Sequence, residues 1–184
     1  MKKKFLAMTC SVIVAMGVLA GCGGGGSDQN NAASDTAAQT GTGDADSAIP
    51  SAGALSIGES ISSSDTSLPD MTVDTSDGGN AAINFTSVCD ADYDRVSSYY
   101  HAYATDGMAP EITVIEVKDS SDVVTVMNAL NDHLEDRIGT FESYAPDQVE
   151  LVENAVVTYS GNYVALFISE KATMDKTTFE EALK

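Results

Sequence analysis

Three cysteines and two histidines bound the thiol and imidazole chemistry open to this chain. Cys10 and Cys22 fall within the first 22 residues, so Cys89 is the one thiol of the C-terminal half, and no disulfide can form within that half. As a nucleophile Cys89 would need a base. Only folding can bring His101 or His133 to it. Without such a base Cys89 reads as a semi-buried small hydrophobe, and His133 reads as a boundary residue on a helix. Asp90-Ala91-Asp92-Tyr93-Asp94 opens as a calcium loop does. Arg95 then stands where the sharp turn needs Gly, and His101 stands where a bidentate Glu belongs. Cys89, His101 and His133 show neither the i, i+3/i+4 pairing nor the C-x-x-C of a zinc site. Ser160-Gly161 lacks a nucleophile elbow. Gly23–Gly26 lack the Lys and the strand–loop–helix setting of a phosphate loop. The residues therefore predict no catalytic group, no cofactor and no metal centre. The alternatives are a cell-wall-acting enzyme using Cys89 or carboxylates, and a weak divalent-cation binder.

Aromatic side chains offer more. Tyr99, His101 and Tyr103 share one face of a predicted strand, and Tyr159 and Tyr163 flank a hairpin turn. With helices on one sheet face, these five form a candidate ligand surface on the other. Phenol rings, apolar in body and polar at the tip, stack sugars or grip peptides. The plainer reading is that Tyr is favoured in strands.

The N-terminus carries a different chemistry. Lys2, Lys3 and Lys4 precede an apolar run from Phe5 to Leu19, and Leu19-Ala20-Gly21-Cys22 follows. That order is a secretory signal over residues 1–21. The run is shorter than the roughly 20 apolar residues of a membrane span. Leu-Ala-Gly-Cys resembles the lipobox of bacterial lipoproteins, which implies a diacylglycerol thioether on Cys22 and a palmitate-class anchor. Two acyl chains, at about 0.8 kcal/mol per buried methylene, hold where one would be marginal. The expected location is the extracytoplasmic side of the cell membrane, in the bacterial envelope.

Residues 22–84 read as a tether. After the four glycines come mainly Ser, Thr, Ala, Gly, Asn and Asp, with no aromatic residue and no Lys or Arg. Such a composition cannot offset its ordering entropy and predicts disorder. Leu55, Ile57, Ile61, Leu68 and Met71 show no sustained period. Outside the signal, every aromatic residue lies between Phe85 and Phe179, which places a domain at 85–184.

Within that domain Val96–Ala104 and Ile112–Val117 read as strands. Asp119 or Ser120 caps a long helix reaching Phe141, with Val123, Met127, Leu130, Leu134, Ile138 and Phe141 as its apolar stripe. Pro146 opens a short helix over Asp147–Glu153. Ala155–Tyr159 and Tyr163–Ser169 flank the Ser160-Gly161-Asn162 turn. A helix around Met174–Leu183 ends the chain. The order β-β-α-β-β-α predicts an α+β fold, with a four-stranded antiparallel sheet and helices on one face.

With those segments in view, the chain resembles a family of small clostridial-type lipoproteins carrying a domain of unknown function. The likeness rests on the lipobox, the low-complexity tether and three stretches: Pro110–Asp119, Phe141–Pro146, and Asn154–Val157 through Gly161–Val164. Those stretches are structural in kind, so the resemblance implies an envelope lipoprotein and assigns no activity.

Net charge narrows the partners. The chain stands at −19. The 19 acidic and 6 basic residues of 85–184 give −13 there. Nucleic acid is excluded as an electrostatic partner, because a polyanion recruits Lys and Arg. A membrane reached through Cys22 and an envelope protein, peptide or glycan remain, which predicts a non-enzymatic binding module.

Overall fold

The computed structural model describes residues 53–184. Within them lie five helices, α1 (Ala54–Ser64), α2 (Ala81–Phe85), α3 (Val123–Tyr144), α4 (Val149–Glu153) and α5 (Ala172–Ala182), and five strands, β1 (Met71–Thr75), β2 (Val96–Ala104), β3 (Glu111–Val117), β4 (Val156–Ser160) and β5 (Tyr163–Ile168). The fold is α+β, built on one antiparallel sheet in the order β1-β2-β3-β5-β4. Among the described residues no helix is long and apolar enough to cross a membrane.

Period-2 alternation sends β2 and β3 side chains to two differently covered faces. Tyr99, Ile115, Val117, Val164, Leu166 and Ile168 pack with Val126, Leu130 and Phe141 of α3 and Val152 of α4. Tyr100, Ala102, Ile112, Val114, Ala165 and Phe167 pack with Ala54, Ile57 and Ile61 of α1 and Phe179 of α5. Helices therefore cover both faces, and the expectations of four strands and of helices on one face are corrected. The fifth strand, β1, and the α1 part of the second layer come from residues expected to lie in the tether, whereas α5 falls where a closing helix was expected. β1 pairs with β2 in register from Met71 opposite Ala104 to Thr75 opposite Tyr100. The order expected for residues 85–184 holds around this addition. Residues 1–21, Cys22 and the tether as far as 52 lie outside the described residues.

Why Ala54–Ser64 folds is legible in its packing. Ala54, Ile57, Gly58 and Ile61 recur at i, i+3, i+4 and i+7 and are the buried positions of α1. Half of that stripe is Ala and Gly, so it allows a close approach rather than supplying bulk. A Cβ on Gly58 would sit 2.2 Å from Cδ1 of Tyr100. The Tyr100 hydroxyl reaches along the helix to Ser62 Oγ at 3.0 Å. Tyr100 is thus clasped between a bare backbone and a hydrogen bond. At the far edge, Ser160 pairs with Tyr163 across a tight turn whose Gly161 takes φ +56°, a conformation glycine adopts freely.

This clasp yields a stability prediction. Gly58→Ala gains helix propensity of about 1 kcal/mol, but overpacking against a buried ring typically costs about 1–3 kcal/mol. Gly58→Val is expected to be clearly destabilising in urea unfolding, and Gly58→Ala is expected to be no better than wild type. An unchanged midpoint for both would mean that α1 does not pack on Tyr100.

Candidate functional site

The polar cluster of the molecule stands where β2, β3 and α3 meet. β3 places Glu111 and Thr113 on the α3 side of the sheet, and register puts Tyr103 opposite Glu111 and His101 opposite Thr113. The stripe of α3 that faces this sheet runs Val126, Leu130, His133, Arg137, Phe141 by threes and fours, so two polar residues fall on a core-facing line. Glu111 is 1% exposed and Thr113 is fully buried. A buried carboxylate is costly unless it is paired and hydrogen-bonded.

Here it is both. His133 Nε2 lies 3.2 and 3.1 Å from the two Glu111 oxygens. Thr113 Oγ1 donates to Glu111 Oε1 at 3.2 Å, and His101 Nδ1 meets Thr113 Oγ1 at 2.9 Å. Arg137 Nε stands 3.7 Å from Glu111 Oε2, beyond hydrogen-bond reach, and is a buried donor without a partner. Arg137 Nη2 donates to the Met108 and Ala109 carbonyls at 3.3 and 3.0 Å, and the guanidinium lies 4.9 Å from the centre of the Phe141 ring. Burial alone would push the Glu111 carboxyl up. The His133 hydrogen bond and the nearby His101, His133 and Arg137 outweigh it and hold the group at about 2. His101 is moved the other way: burial lowers its pKa more than the Glu111 charge raises it.

Ser87, His101, Tyr103, Glu111, His133 and Arg137 line a recess of about 310 Å³. The His101 and Tyr103 rings stack at 5.1 Å and 25° on its wall. This volume is at the lower end of small-molecule pockets, roughly 300–1,000 Å³. Among the described residues no group of three or more His, Cys, Asp or Glu is placed to hold a metal ion.

Of the five expected ligand-surface residues, the structure brings only His101 and Tyr103 together. Tyr99 is fully buried, packed on Phe85 at 5.3 Å and on Tyr93 at 6.1 Å, with its hydroxyl donating to the Ala81 carbonyl at 3.0 Å. Burial pushes that phenol up to about 12. Tyr163 is buried on the α1/α5 face, and Tyr159 is 58% exposed on the edge strand β4. An open tyrosine face does not form, because Tyr99, His101 and Tyr103 stand on the face that α2 and α3 cover, whereas Tyr163 stands on the opposite face under α1 and α5. The sequence reading missed Glu111, His133 and Arg137 as partners. Their one signal was the polar pair at spacing four on the buried stripe of α3. Cys89 is buried, and burial pushes its thiol up to about 11. It lines a neighbouring cleft with His133 but makes no hydrogen bond to either imidazole among the described residues. Asp92 caps a short turn by accepting from the Asp94 amide at 3.0 Å.

An acidic pair lies on the opposite face. Asp65 ends α1 and Asp175 lies in the first turn of α5, and both are buried. Burial raises the Asp175 carboxyl to about 6, against the Ser169 hydroxyl that donates to it. Asp65 is also pushed up by burial, but the Ser67 hydroxyl and amide outweigh this and its pKa is lowered. Asp65 Oδ2 otherwise lacks a partner. The Asp65 charge adds to burial in raising Asp175.

Residues 83–169 match a domain of unknown function, DUF4358, a span that holds every residue of the recess. Neither a curated protein nor a solved structure matches the chain.

Two measurements follow from this geometry. A carboxyl raised from 3.8 to about 6 stabilises the fold below pH 3.8 and loses that contribution as pH rises through 6. Asp175→Asn, a permanent donor, is expected to remove the decline in melting temperature between pH 4 and 6. A wild-type slope retained in the variant would place the titration elsewhere. The second concerns tautomers. An ionised Glu111 only accepts, and Thr113 spends its hydrogen on Glu111, so His133 carries its proton on Nε2 and His101 on Nδ1. Nitrogen-15 shifts at pH 8 are expected to show one imidazole of each type, and two Nε2–H rings would break the chain of donors.

Proposed function

We propose that this chain is a membrane-anchored extracytoplasmic lipoprotein whose folded domain is a non-enzymatic binding module of the cell envelope. The observation that carries the binding reading is the recess. An ionised carboxylate buried at 1% exposure costs several kcal/mol, and here it is spent on orienting two imidazoles and a guanidinium at the wall of a cavity. A strongly shifted carboxylate in a cleft, paired with specific charged partners, is a functional-site candidate.

A binding role fits these groups better than turnover. Glu111, held at about 2, keeps no proton to give near neutrality, and its oxygens are already engaged. Cys89, at about 11, supplies almost no thiolate there. A ligand that touches His101, Tyr103 and Arg137 would be held and not transformed. The anchor reading is supported by Lys2–Lys4, the apolar run Phe5–Leu19 and Leu19-Ala20-Gly21-Cys22. Envelope placement then makes a protein, peptide or glycan of that compartment the partner.

Both halves are tested in one set of preparations. Cys22→Ala is expected to move the protein from the membrane to the soluble fraction, and continued membrane retention would overturn the anchor. Solubilised wild-type chain is expected to be retained by isolated envelopes. A Tyr103→Ala/Arg137→Gln variant with unchanged circular dichroism is expected to lose most of that retention. Undiminished retention would remove the recess from the binding reading.

A further inference from the structure

Assigning every hydrogen around Glu111 shows what the recess has left to offer. Glu111 Oε1 accepts from Thr113 and His133, and Oε2 accepts from His133. The carboxylate, although it lines the recess, is therefore committed to these donors. Its effect is to fix the rings. With Nδ1–H given to Thr113, His101 presents a free lone pair on Nε2, a good acceptor. His133 gives its Nε2–H to Glu111. Arg137 uses Nη2 on two carbonyls and has no hydrogen-bond partner for Nη1 among the described residues, so Nη1 is a free donor. The Tyr103 hydroxyl adds a group that donates or accepts, on a half-buried ring held by its stack on His101.

Charge then selects the ligand. Glu111 and Arg137 cancel one another, and burial keeps His101 uncharged at neutral pH. Asp74 lies across the strand pair from His101, and Asp132 and Asp136 line the cleft beside His133. An anion entering meets these carboxylates and a chain at −19. A cation finds the Arg137 guanidinium in its way and the Glu111 oxygens already engaged. The site is built for an uncharged molecule whose groups both give and accept hydrogen bonds.

We propose that the recess binds a neutral sugar ring, with Tyr103 stacking on its apolar C–H face and His101 Nε2 and Arg137 Nη1 as acceptor and donor to its hydroxyls. A hydroxyl gives to the imidazole and takes from the guanidinium at a single atom, as this alternation of acceptor and donor around an aromatic ring requires. A peptide group separates donor from acceptor along a chain, whereas this open recess of about 310 Å³ has room for one compact ring. The assignment rests on the binding-module reading above and narrows it to a ligand class.

The test uses the full-length chain, solubilised and isotope-labelled, titrated to millimolar concentrations with glucose, galactose, N-acetylglucosamine and diacetylchitobiose. Glucuronate, glucosamine and trialanine are the charged and peptide controls. At least one neutral sugar is expected to give saturable shifts at His101 and Tyr103. Its affinity should exceed that of the charged analogues, and Tyr103→Ala should weaken it about 3- to 10-fold. Saturation by trialanine alone, or equal response to glucuronate, would overturn the sugar class and leave the recess a ligand site. Silence towards all probes, with envelope retention still dependent on Tyr103 and Arg137, would also overturn only the sugar class. Loss of that dependence would instead overturn the binding-module reading. The wild-type titration decides the question even where a variant fails to fold.

Discussion

One carboxylate organises the half of the molecule that faces α3. Glu111 cannot sit ionised in a dry site without partners, and it draws them from three directions: Thr113 beside it, His133 above and Arg137 one turn further along α3. His101 joins through Thr113. Because the two helical partners are four residues apart, only one rotation of α3 delivers both. The apolar residues of that stripe, Val126, Leu130 and Phe141, accept the same rotation. Hydrophobic burial supplies most of the adhesion, and the charge chooses among the ways in which adhesion can be satisfied. Removing one partner would leave an uncompensated buried charge, the costly half of a broken pair.

The two sheet faces differ in kind. Towards α1 and α5 the sheet is apolar at its centre, with Ser98 and Glu116 hydrogen-bonded at one strand end, while Asp65, Asp175 and Lys171 tie the end of α1 to the start of α5. Towards α3 the apolar packing stops at Tyr99 and Ile115, and polar residues continue to the strand ends. The two faces respond to acid with opposite sign. Glu111 adds stability above about pH 4.5 and loses it as pH falls towards 2, while Asp175 adds stability at low pH and loses it as pH rises through 6. The fold is most evenly supported in the mildly acidic range between those limits.

The regular elements beyond residue 95 were legible because each carried its own period. Val96–Ala104, the Ser160–Tyr163 turn and the long helix needed no tertiary information. α1 was hidden by its own economy: a stripe of Ala54, Ile57, Gly58 and Ile61 has too little apolar bulk to stand out from a Ser- and Gly-rich background. Its helical reason lies in Tyr100, a residue about forty positions away. The recess was hidden differently. In Glu111-Ile112-Thr113-Val114 the alternation reads as a strand with a wet face and a dry one, and nothing local says that the polar face is also buried. His133 and Arg137 share one side of a helix, but the apolar stripe can equally be drawn through Met127, Leu134 and Ile138. Only the partner across the gap, Glu111, decides between the two rotations.

The extent of the DUF4358 match bears on what counts as the folding unit. Residues 83–169 include β2 to β5, α3 and α4, and hence the whole recess, but exclude α1, β1 and α5. Cut at those bounds, the sheet would expose Tyr100, Ile112, Val114 and Phe167 together on one face. β2 would become a nine-residue open edge carrying a row of unpaired amides and carbonyls. A soluble domain does not leave such a surface bare. The matched segment therefore contains the site but not the means of standing alone, and the flanking helices and edge strand complete it. Because α1 docks on the face away from α3, the chain enters the fold on the side opposite the recess.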